Sequence, residues 1–276
     1  MPELPEVERS RKLAERVAAG RSVARVAVED DDIVYDGVTP KQFRAALKGR
    51  QVVAARRHGK QMWLELDRGP HPLLHLGMTG QLYTPGSEGL TLESGIKTEG
   101  WPPRFTKLQL WFDDGGQLAF TNARRLGRLR LRDAPAEEPP ISKLGFDPLL
   151  SMPSAKAFIE RARRRRSPAK AVLLDQSFAA GVGNWIADEV LYQARIDPRR
   201  RLADLSDVEL RLVRTKLKKV IRDAVKVDAE KARYPRGWLF HRRWGKQSGI
   251  CDATGNLVEH LEVGGRTTAW VPALQR

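Results

Sequence analysis

The chain has 276 residues, of which 49 are Lys or Arg and 34 are Asp or Glu, so its formal net charge at pH 7 is +15. The 41% of hydrophobic residues can form a core, which argues against intrinsic disorder. No apolar stretch reaches the roughly 20 residues of a membrane helix, and no signal-peptide core follows Met1. The single cysteine, Cys251, excludes an internal disulfide and a multi-cysteine zinc site. We expect an intracellular protein with a polyanionic partner, although charge alone also fits a ribosomal or membrane-surface protein.

The first part of the chain predicts a β-rich domain that ends near residue 133. A helix is expected over residues 3–19, and a second one between Thr39, its N-cap, and Gly49. Gly115-Gly116 is a hairpin turn signal. Short segments with apolar alternation or β-branched residues predict strands at 22–28, 51–57, 62–66, 73–76, 107–112, 117–120 and 128–131.

The rest of the chain changes from strand to helix patterns. Residues 134–150 begin with a proline-rich and charged segment that is typical of a linker. Ser206 and Glu209 have the spacing of a capping box at the start of the last helix. After residue 233 the chain is rich in glycine and predicts a small β-hairpin that docks on the helices. Helices are expected at 154–163, 168–177, 184–194 and 206–227.

The N-terminus carries the sharpest chemical signal. Removal of Met1, which is normal before a small second residue, gives Pro2 a secondary amine. A free α-amino group has a pKa of roughly 7.7–8.0, and the positive end of a helix dipole lowers it further. Such an amine can attack an aldehyde-like carbon, and the carboxyl groups of Glu3 and Glu6 lie on the same helix face. The same residues also make an ordinary helix start, and their spacing does not separate the two interpretations.

Two predicted strand ends carry residues suited to a damaged duplex. Met78 lies between Gly77 and Gly80 and is either an apolar wedge between bases or a core methionine. In residues 121–127, Arg124 is able to bind a phosphate or an orphaned base, and Leu126 is able to fill a gap. A solvated basic turn explains the latter residues equally well.

The helical part has two basic features and a glycine turn. Residues 161–166 include five arginines, among them Arg165, and most such runs are solvated helix faces. Residues 180–184 (Ala-Gly-Val-Gly-Asn) lie between two predicted helices, where backbone N–H groups and Lys170 can bind a phosphate. Gly264-Gly265-Arg266 predicts a flexible turn with an arginine at its tip.

These features, in this order, resemble the formamidopyrimidine-DNA glycosylase and endonuclease VIII family of base-excision repair enzymes. Pro2-Glu3-Leu4-Pro5-Glu6-Val7-Glu8 is similar to the formamidopyrimidine branch, and Arg57-His58-Gly59-Lys60 to the lysine motif of the family. Leu173-Leu174-Asp175-Gln176, Gly181-Val182-Gly183-Asn184 and Ala187-Asp188-Glu189 resemble its helix–two-turn–helix signature. The resemblance implies an α+β protein: an N-terminal β-sandwich with a leading helix (1–133), a linker (134–150), a helix–two-turn–helix domain (151–233) and a β-hairpin finger (234–276).

The resemblance also implies a monomeric, cofactor-free glycosylase and AP lyase that acts on damaged double-stranded DNA in a nucleus or bacterial cytoplasm. Pro2 would attack C1′ of the damaged nucleotide, and Glu3, supported by Glu6, would donate the proton that opens the sugar. Lys60 would contact the lesion phosphate and assist β-elimination, while Arg266 would clamp phosphates and assist δ-elimination. The residues that would hold the DNA backbone or fill the gap left by the everted base are His75, Met78, Arg124, Leu126, Arg165, Lys170 and Asn184.

The sequence departs from the usual pattern of this family in three places. The finger usually has four zinc-binding cysteines, whereas residues 249–276 contain only Cys251, which resembles the metal-free "zincless finger" subgroup known from plants and fungi. Leu126 replaces the usual phenylalanine, and Asn122-Ala123 replaces Asp-Pro, so the wedge is smaller. The segment after Val227 is shorter than in members that grip 8-oxoguanine. We expect weak activity on 8-oxoguanine and stronger activity on ring-opened formamidopyrimidines and hydantoins.

Two other functions remain as alternatives. A non-catalytic lesion-binding protein would keep the DNA contacts, but the presence of Pro2, Glu3, Glu6, Lys60 and Arg266 argues against lost chemistry. A basic ribosomal protein with a helix–two-turn–helix would leave the β-rich part unexplained.

Overall fold

The chain folds into two compact units, Met1–Lys143 and Leu144–Arg276. The computed structural model describes residues 1–87, 100–245 and 249–276. The boundary between the units falls inside the predicted linker segment 134–150. Within the described ranges, no helix is both long and apolar enough to cross a membrane. Sheets in the first unit and helices with a small hairpin in the second confirm the expected α+β class.

In its described residues, the first unit has two α-helices and two four-stranded antiparallel sheets. The helices are α1 (Leu4–Ala18) and α2 (Pro40–Leu47). The strands in chain order are β1 (Val23–Val28), β2 (Val52–His58), β3 (Gln61–Leu66), β4 (His71–His75), β5 (Gln81–Tyr83), β6 (Thr106–Phe112), β7 (Gln117–Thr121) and β8 (Arg128–Arg132). One sheet has the order β1-β6-β7-β5 and the other β2-β3-β4-β8.

An apolar core lies between these elements. Every second residue of β3 is buried, as expected for a strand with one face on a core. The buried residues of α1 recur at helical spacing, so that one side of the helix covers the sheets. Side chains from both sheets and both helices contribute to the core, among them Val7, Phe43, Met62, Leu110, Phe120 and Leu129. The two sheets and their shared core form the predicted sandwich.

A local signal marks the start of α2, whereas the short strand β5 has none. Thr39 Oγ1 accepts the N–H of Gln42 at 3.2 Å, and Gln42 Oε1 accepts the N–H of Thr39 at 2.9 Å, which completes a capping box. Strand β5 was missed because its three residues are all buried and too few to show alternation. It pairs with β7 at the edge of its sheet.

Where the structure describes it, the second unit has four α-helices and one β-hairpin. The helices are α3 (Ala155–Arg163), α4 (Ala169–Leu174), α5 (Asn184–Ala194) and α6 (Asp207–Lys226), and the hairpin consists of β9 (Glu259–Val263) and β10 (Arg266–Trp270). The capping box predicted for α6 is present, since Ser206 Oγ accepts the N–H of Glu209 and the N–H of Ser206 reaches the Glu209 carboxylate.

The turn between α4 and α5 is built from side-chain hydrogen bonds. The helix predicted over 168–177 ends at Leu174, because the Asp175 carboxylate accepts the N–H of Ser177 at 2.8 Å and starts a turn. Gln176 Nε2 donates to the carbonyls of Leu174 and Val182, and its Oε1 accepts the N–H of Gly181. One amide side chain thus fixes the whole helix–two-turn–helix connection.

Two loops of the first unit, residues 76–80 and 121–127, are joined by a buried amide. Asn122 Nδ2 donates to the carbonyl of Leu76 at 3.1 Å, and its Oδ1 accepts the N–H of Gly127 at 3.1 Å. Gly77 has a φ of +64°, and a Cβ there would lie 2.4 Å from the carbonyl carbon of Leu126. Only glycine permits this close approach, so the sequence at residue 77 and the amide at residue 122 together set the distance between the loops.

We expect Asn122→Ala to lower the free energy of unfolding by about 1–3 kcal/mol, because it leaves buried polar groups of both loops without partners. Chemical denaturation measures this loss. The exposed side chain of Arg124 in the same loop provides the control, and Arg124→Ala is expected to change stability by less than about 0.5 kcal/mol. Equal effects of the two substitutions would show that the Asn122 amide does not hold the loops.

Candidate functional site

The start of α1 is buried and brings two carboxyl groups together. Pro2, Glu3 and Glu6 are all buried. The Glu6 carboxylate accepts the N–H of Glu3 at 3.0 Å. Burial, and next the negative charge of Glu3, raise the pKa of Glu6 to about 7, while backbone hydrogen bonds lower it by less. The Glu6 carboxyl group is therefore still partly protonated near neutral pH. Pro2, Glu3 and Glu6 lie together at the helix start.

A buried ion pair connects α1 to the turn that carries Lys60. Arg57 Nε donates to Glu8 Oε2 at 2.8 Å, and the Arg57 side chain is completely buried. The same guanidinium donates through Nη1 to the carbonyl of Gly59 at 3.1 Å. Charge-assisted hydrogen bonds of this kind have a fixed geometry, and breaking one partner leaves a buried charge. Arg57 therefore fixes the position of the β2–β3 turn, with Lys60 at its end, relative to the helix start.

His75, at the end of β4, is a neutral side chain next to this turn. Its register partner is Gln61, the residue after Lys60. Burial first, and then the charges of Lys60, Arg130 and Arg128, lower the pKa of His75 to about 4. Nδ1 accepts the N–H of Gly77 at 3.3 Å, which leaves the proton on Nε2 at pH 7. His75 can therefore donate one hydrogen bond to a phosphate oxygen, but it adds no positive charge.

The predicted gap-filling residues lie on the two loops joined by Asn122. Met78 is half-buried, Arg124 is exposed, and Leu126 has 41% of its surface exposed. The backbone N–H of Arg124 donates to Thr79 Oγ1 at 3.3 Å, which links the two loops a second time. The neighbouring Arg125 forms a bidentate contact with Asp31. Of the two arginines in the loop, Arg124 is therefore the one whose side chain is available to a ligand.

In the second unit, Lys170 is in the interior. Its side chain is 0% exposed, and Nζ lies 2.5 Å from Asp188 Oδ1 and donates to the carbonyl of Thr267 at 3.0 Å. These contacts already engage the ammonium that the sequence predicted to hold the DNA backbone. A buried ammonium needs a carboxylate partner, and Asp188 provides it here.

The other three predicted residues of the second unit differ in their environments. Asn184, the first residue of α5, donates through Nδ2 to the carbonyl of Thr267 at 2.9 Å. Among the described residues, its buried Oδ1 has no hydrogen-bond partner. Arg165 is half-buried, and its guanidinium contacts Asp175 at 3.0 Å and Ser177 at 3.3 Å. Arg266, the first residue of β10, is exposed.

Sequence reasoning did not assign roles to several residues that hold this arrangement. Asp188 and Glu189 lie in a mostly buried helix, and such a pair of charges in a buried segment is a signal of internal pairing. The contact of Glu8 with Arg57 joins residues 49 positions apart and has no local signal. The sequence analysis named Asn122 only as a departure from the Asp-Pro of the family, and not as the residue that joins two loops. In the described part of the chain, no cluster of three or more His, Cys, Asp or Glu side chains is arranged to hold a metal ion.

Two family models match the chain. The formamidopyrimidine-DNA glycosylase N-terminal domain matches residues 1–129, and the formamidopyrimidine-DNA glycosylase H2TH (helix–two-turn–helix) domain matches residues 144–235. The formamidopyrimidine-DNA glycosylase of Arabidopsis thaliana is 41% identical over 278 residues, covering 100% of this chain and 71% of the plant protein. The enzyme of the same name from Paracoccus denitrificans is 32% identical, with full coverage of both chains.

Solved structures agree with these matches. The MutM (Fpg) protein of Thermus thermophilus has a TM-score of 0.77 and 31% identity, and the match covers 99% of this chain and 98% of that one. The Lactococcus lactis enzyme, non-covalently bound to DNA containing an AP site, has a TM-score of 0.81 and 25% identity, with 99% of each chain covered. The sequence motifs, the two domain models and these full-length relatives show that the chain belongs to the formamidopyrimidine-DNA glycosylase family, a family of DNA-repair enzymes with glycosylase and AP lyase activities.

Proposed function

We propose that this protein excises oxidised bases from double-stranded DNA through a Schiff base on Pro2 and then cleaves the strand by β,δ-elimination. The observation that supports this most is the buried start of α1, where Pro2 adjoins two carboxyl groups and one of them holds its proton near pH 7. The DNA on which it acts lies in a nucleus or a bacterial cytoplasm.

Base release and ring opening need one nucleophile and one acid. After removal of Met1, the nitrogen of Pro2 forms a bond to C1′ while the glycosidic bond breaks, and the base leaves with its electron pair and takes up a proton. The nitrogen then passes its own proton to the Glu3 carboxylate, and its lone pair expels O4′, which accepts that proton from Glu3. The product is an iminium between Pro2 and the opened sugar. Glu6, which hydrogen-bonds the backbone of Glu3, holds that acid in place and is a second store of a proton.

Strand cleavage requires stabilisation of two leaving phosphates. Loss of a proton from C2′ allows the 3′ C–O bond to break, and loss of a proton from C4′ allows the 5′ C–O bond to break. A fixed cation lowers the energy of each departing phosphate. We assign Lys60, which Arg57 positions, to the first step, and the exposed Arg266 to the second.

DNA binding combines charge with loops that can enter the duplex. The net charge of +15 attracts the phosphate backbone without selecting a sequence. His75, Asn184 and Arg165 are proposed to hold the backbone, although the contacts of Arg165 with Asp175 and Ser177 already engage its guanidinium. Met78, Arg124 and Leu126 are proposed to fill the gap left by the everted base.

Trapping with borohydride tests the covalent step. The purified protein is expected to lack Met1 in its intact mass and to couple covalently to abasic DNA when the Schiff base is reduced. Pro2→Gly, which replaces the secondary amine by a primary one, is expected to weaken or shift the crosslink. A protein that binds abasic DNA but is never trapped would be the non-catalytic lesion-binding protein instead.

The region after α6 supports a particular lesion preference. Residues of this region pack into an aromatic cluster with Trp185 of α5, in which the ring centroids of Trp185 and Tyr234 are 5.6 Å apart and those of Tyr234 and Phe240 are 4.9 Å apart. Trp238 joins the same cluster. Because these residues after α6 pack inside the second unit, they are not available to cover an everted 8-oxoguanine.

Single-turnover excision from matched duplexes measures this preference. We expect ring-opened formamidopyrimidines and hydantoins to be released at least about tenfold faster than 8-oxoguanine paired with cytosine, a difference of about 1.4 kcal/mol in the barrier. A faster release of 8-oxoguanine would contradict the proposed role of the short segment, while leaving the glycosylase activity itself intact.

Glu6 gives a pH dependence of stability whose sign follows from its raised pKa. The folded protein binds the Glu6 proton more tightly than the unfolded chain between the ordinary pKa of 4.5 and about 7, so the stability contributed by this proton is present at low pH and lost as the pH rises. Glu6→Gln keeps an acceptor for the Glu3 N–H and removes the titration.

We therefore expect the stability of Glu6→Gln relative to wild type to increase between pH 5 and pH 8, by about 3 kcal/mol if the full shift is realised. Denaturant unfolding at several pH values measures it. Glu262→Gln, at an exposed site on β9, controls for the loss of one negative charge. If the free energies of unfolding of Glu6→Gln and wild type differ by the same amount at pH 5 and pH 8, the pKa of Glu6 is not raised in the folded protein.

A further inference from the structure

The strand that carries Arg266 is held by polar contacts from α4 and α5. The carbonyl of Thr267, the residue after Arg266, accepts hydrogen bonds from Lys170 Nζ at 3.0 Å and from Asn184 Nδ2 at 2.9 Å. Two residues further along, the N–H of Ala269 donates to Asp188 Oδ2 at 3.1 Å. These contacts fix the backbone of β10 one residue and three residues after the arginine.

Asp188 is the centre of this arrangement. Its side chain is 0% exposed, and its two oxygens face different cations. Oδ1 lies 2.5 Å from Lys170 Nζ, and Oδ2 accepts from Arg243 Nη2 at 2.7 Å and Nε at 3.2 Å. Since a buried carboxylate is stable only with such partners, Lys170 cannot leave Asp188 for a phosphate without a large cost.

The turn before Arg266 gives an independent sign that the hairpin is placed against α4. Gly264 has a φ of +59°, and a Cβ there would lie 3.0 Å from the Cβ of Ala171, the residue after Lys170. Gly265 has a similar φ of +70°, but a Cβ there would meet no atom within 4 Å. A side chain at residue 264 would therefore push the turn and α4 apart by a few tenths of an ångström.

We infer that Lys170 and Asp188 are positioning residues for Arg266: they fix β10 so that the guanidinium reaches the phosphate that leaves in δ-elimination. This inference depends on the proposed function, which assigns δ-elimination to Arg266. The hairpin region has one cysteine, Cys251, so a cluster of thiolates is not what holds the strand. The buried charges of α4 and α5 do so, and Lys170 acts through Arg266 rather than on the DNA.

Lys170→Met tests the inference through the products of strand cleavage. On abasic DNA we expect the ratio of δ- to β-elimination products to fall by about fivefold or more, while borohydride trapping stays within about twofold of wild type. Lys218→Met, which removes an exposed lysine on α6, is the charge-matched control and is expected to keep the wild-type ratio.

A double-mutant cycle with Arg266→Gln shows whether Lys170 acts through the arginine. If it does, the double variant has the same product ratio as Arg266→Gln alone. If Lys170 instead contacts a phosphate on its own, the two losses multiply. In that case Lys170→Met also reduces the slope of log K against log salt by about 0.9 beyond the effect of Arg266→Gln. Losses that multiply, or this additional reduction of the salt slope, would overturn the inference.

A pair of glycine substitutions tests the placement of the turn without touching the buried charges. Gly264→Ala and Gly265→Ala share the cost of a side chain at positive φ, but only the first pushes the turn away from Ala171. We expect Gly264→Ala to lower the δ-to-β ratio and Gly265→Ala to change it much less. Equal ratios for the two variants would contradict the inference, and this comparison decides the question if Lys170→Met does not fold.

Failure of the inference and failure of the proposed function give different results. If the wild-type protein is not trapped on abasic DNA, the proposed function is wrong. A second result separates the two claims: the wild-type protein is trapped and makes δ-elimination products, but Lys170→Met and Lys218→Met give equal product ratios. That result would support the proposed lyase activity and contradict the positioning role of Lys170.

Discussion

The buried ion pair between Glu8 and Arg57 is the contact on which the catalytic half of the first unit depends. It connects the second turn of α1 to the strand before Lys60, and the same guanidinium holds the carbonyl of Gly59. Because the pair is buried, α1 cannot rotate or slide without exposing an unpaired charge to an apolar core. Pro2, Glu3 and Glu6 therefore keep one position relative to the lysine turn, which is what covalent chemistry at a sugar carbon requires.

The second unit follows the same principle with a different set of residues. Asp188 is buried between Lys170 and Arg243, and this cluster holds the backbone next to Arg266. In both units an exposed or half-buried cation, Lys60 or Arg266, follows a backbone segment that buried charges keep in place.

The sequence predicted the features that local chemistry determines. Capping residues at Thr39 and Ser206, the alternation in β3 and the motif around Pro2 led to the correct elements and the correct family. Contacts between distant residues were not predictable, because neither Glu8 with Arg57 nor Lys170 with Thr267 leaves a local pattern. The prediction for Lys170 shows this limit: a lysine beside a glycine turn is typical of a phosphate ligand, and its burial against Asp188 has no local signal.

Peptide mapping of the borohydride-reduced complex by mass spectrometry tests the central claim most directly, since it identifies the nitrogen that is bonded to the sugar. A fixed α1 start beside a carboxyl group predicts that the sugar remnant is attached to residue 2, in a protein from which Met1 has been removed. A remnant on Lys60 or on another internal lysine, in fully active protein, would contradict the account.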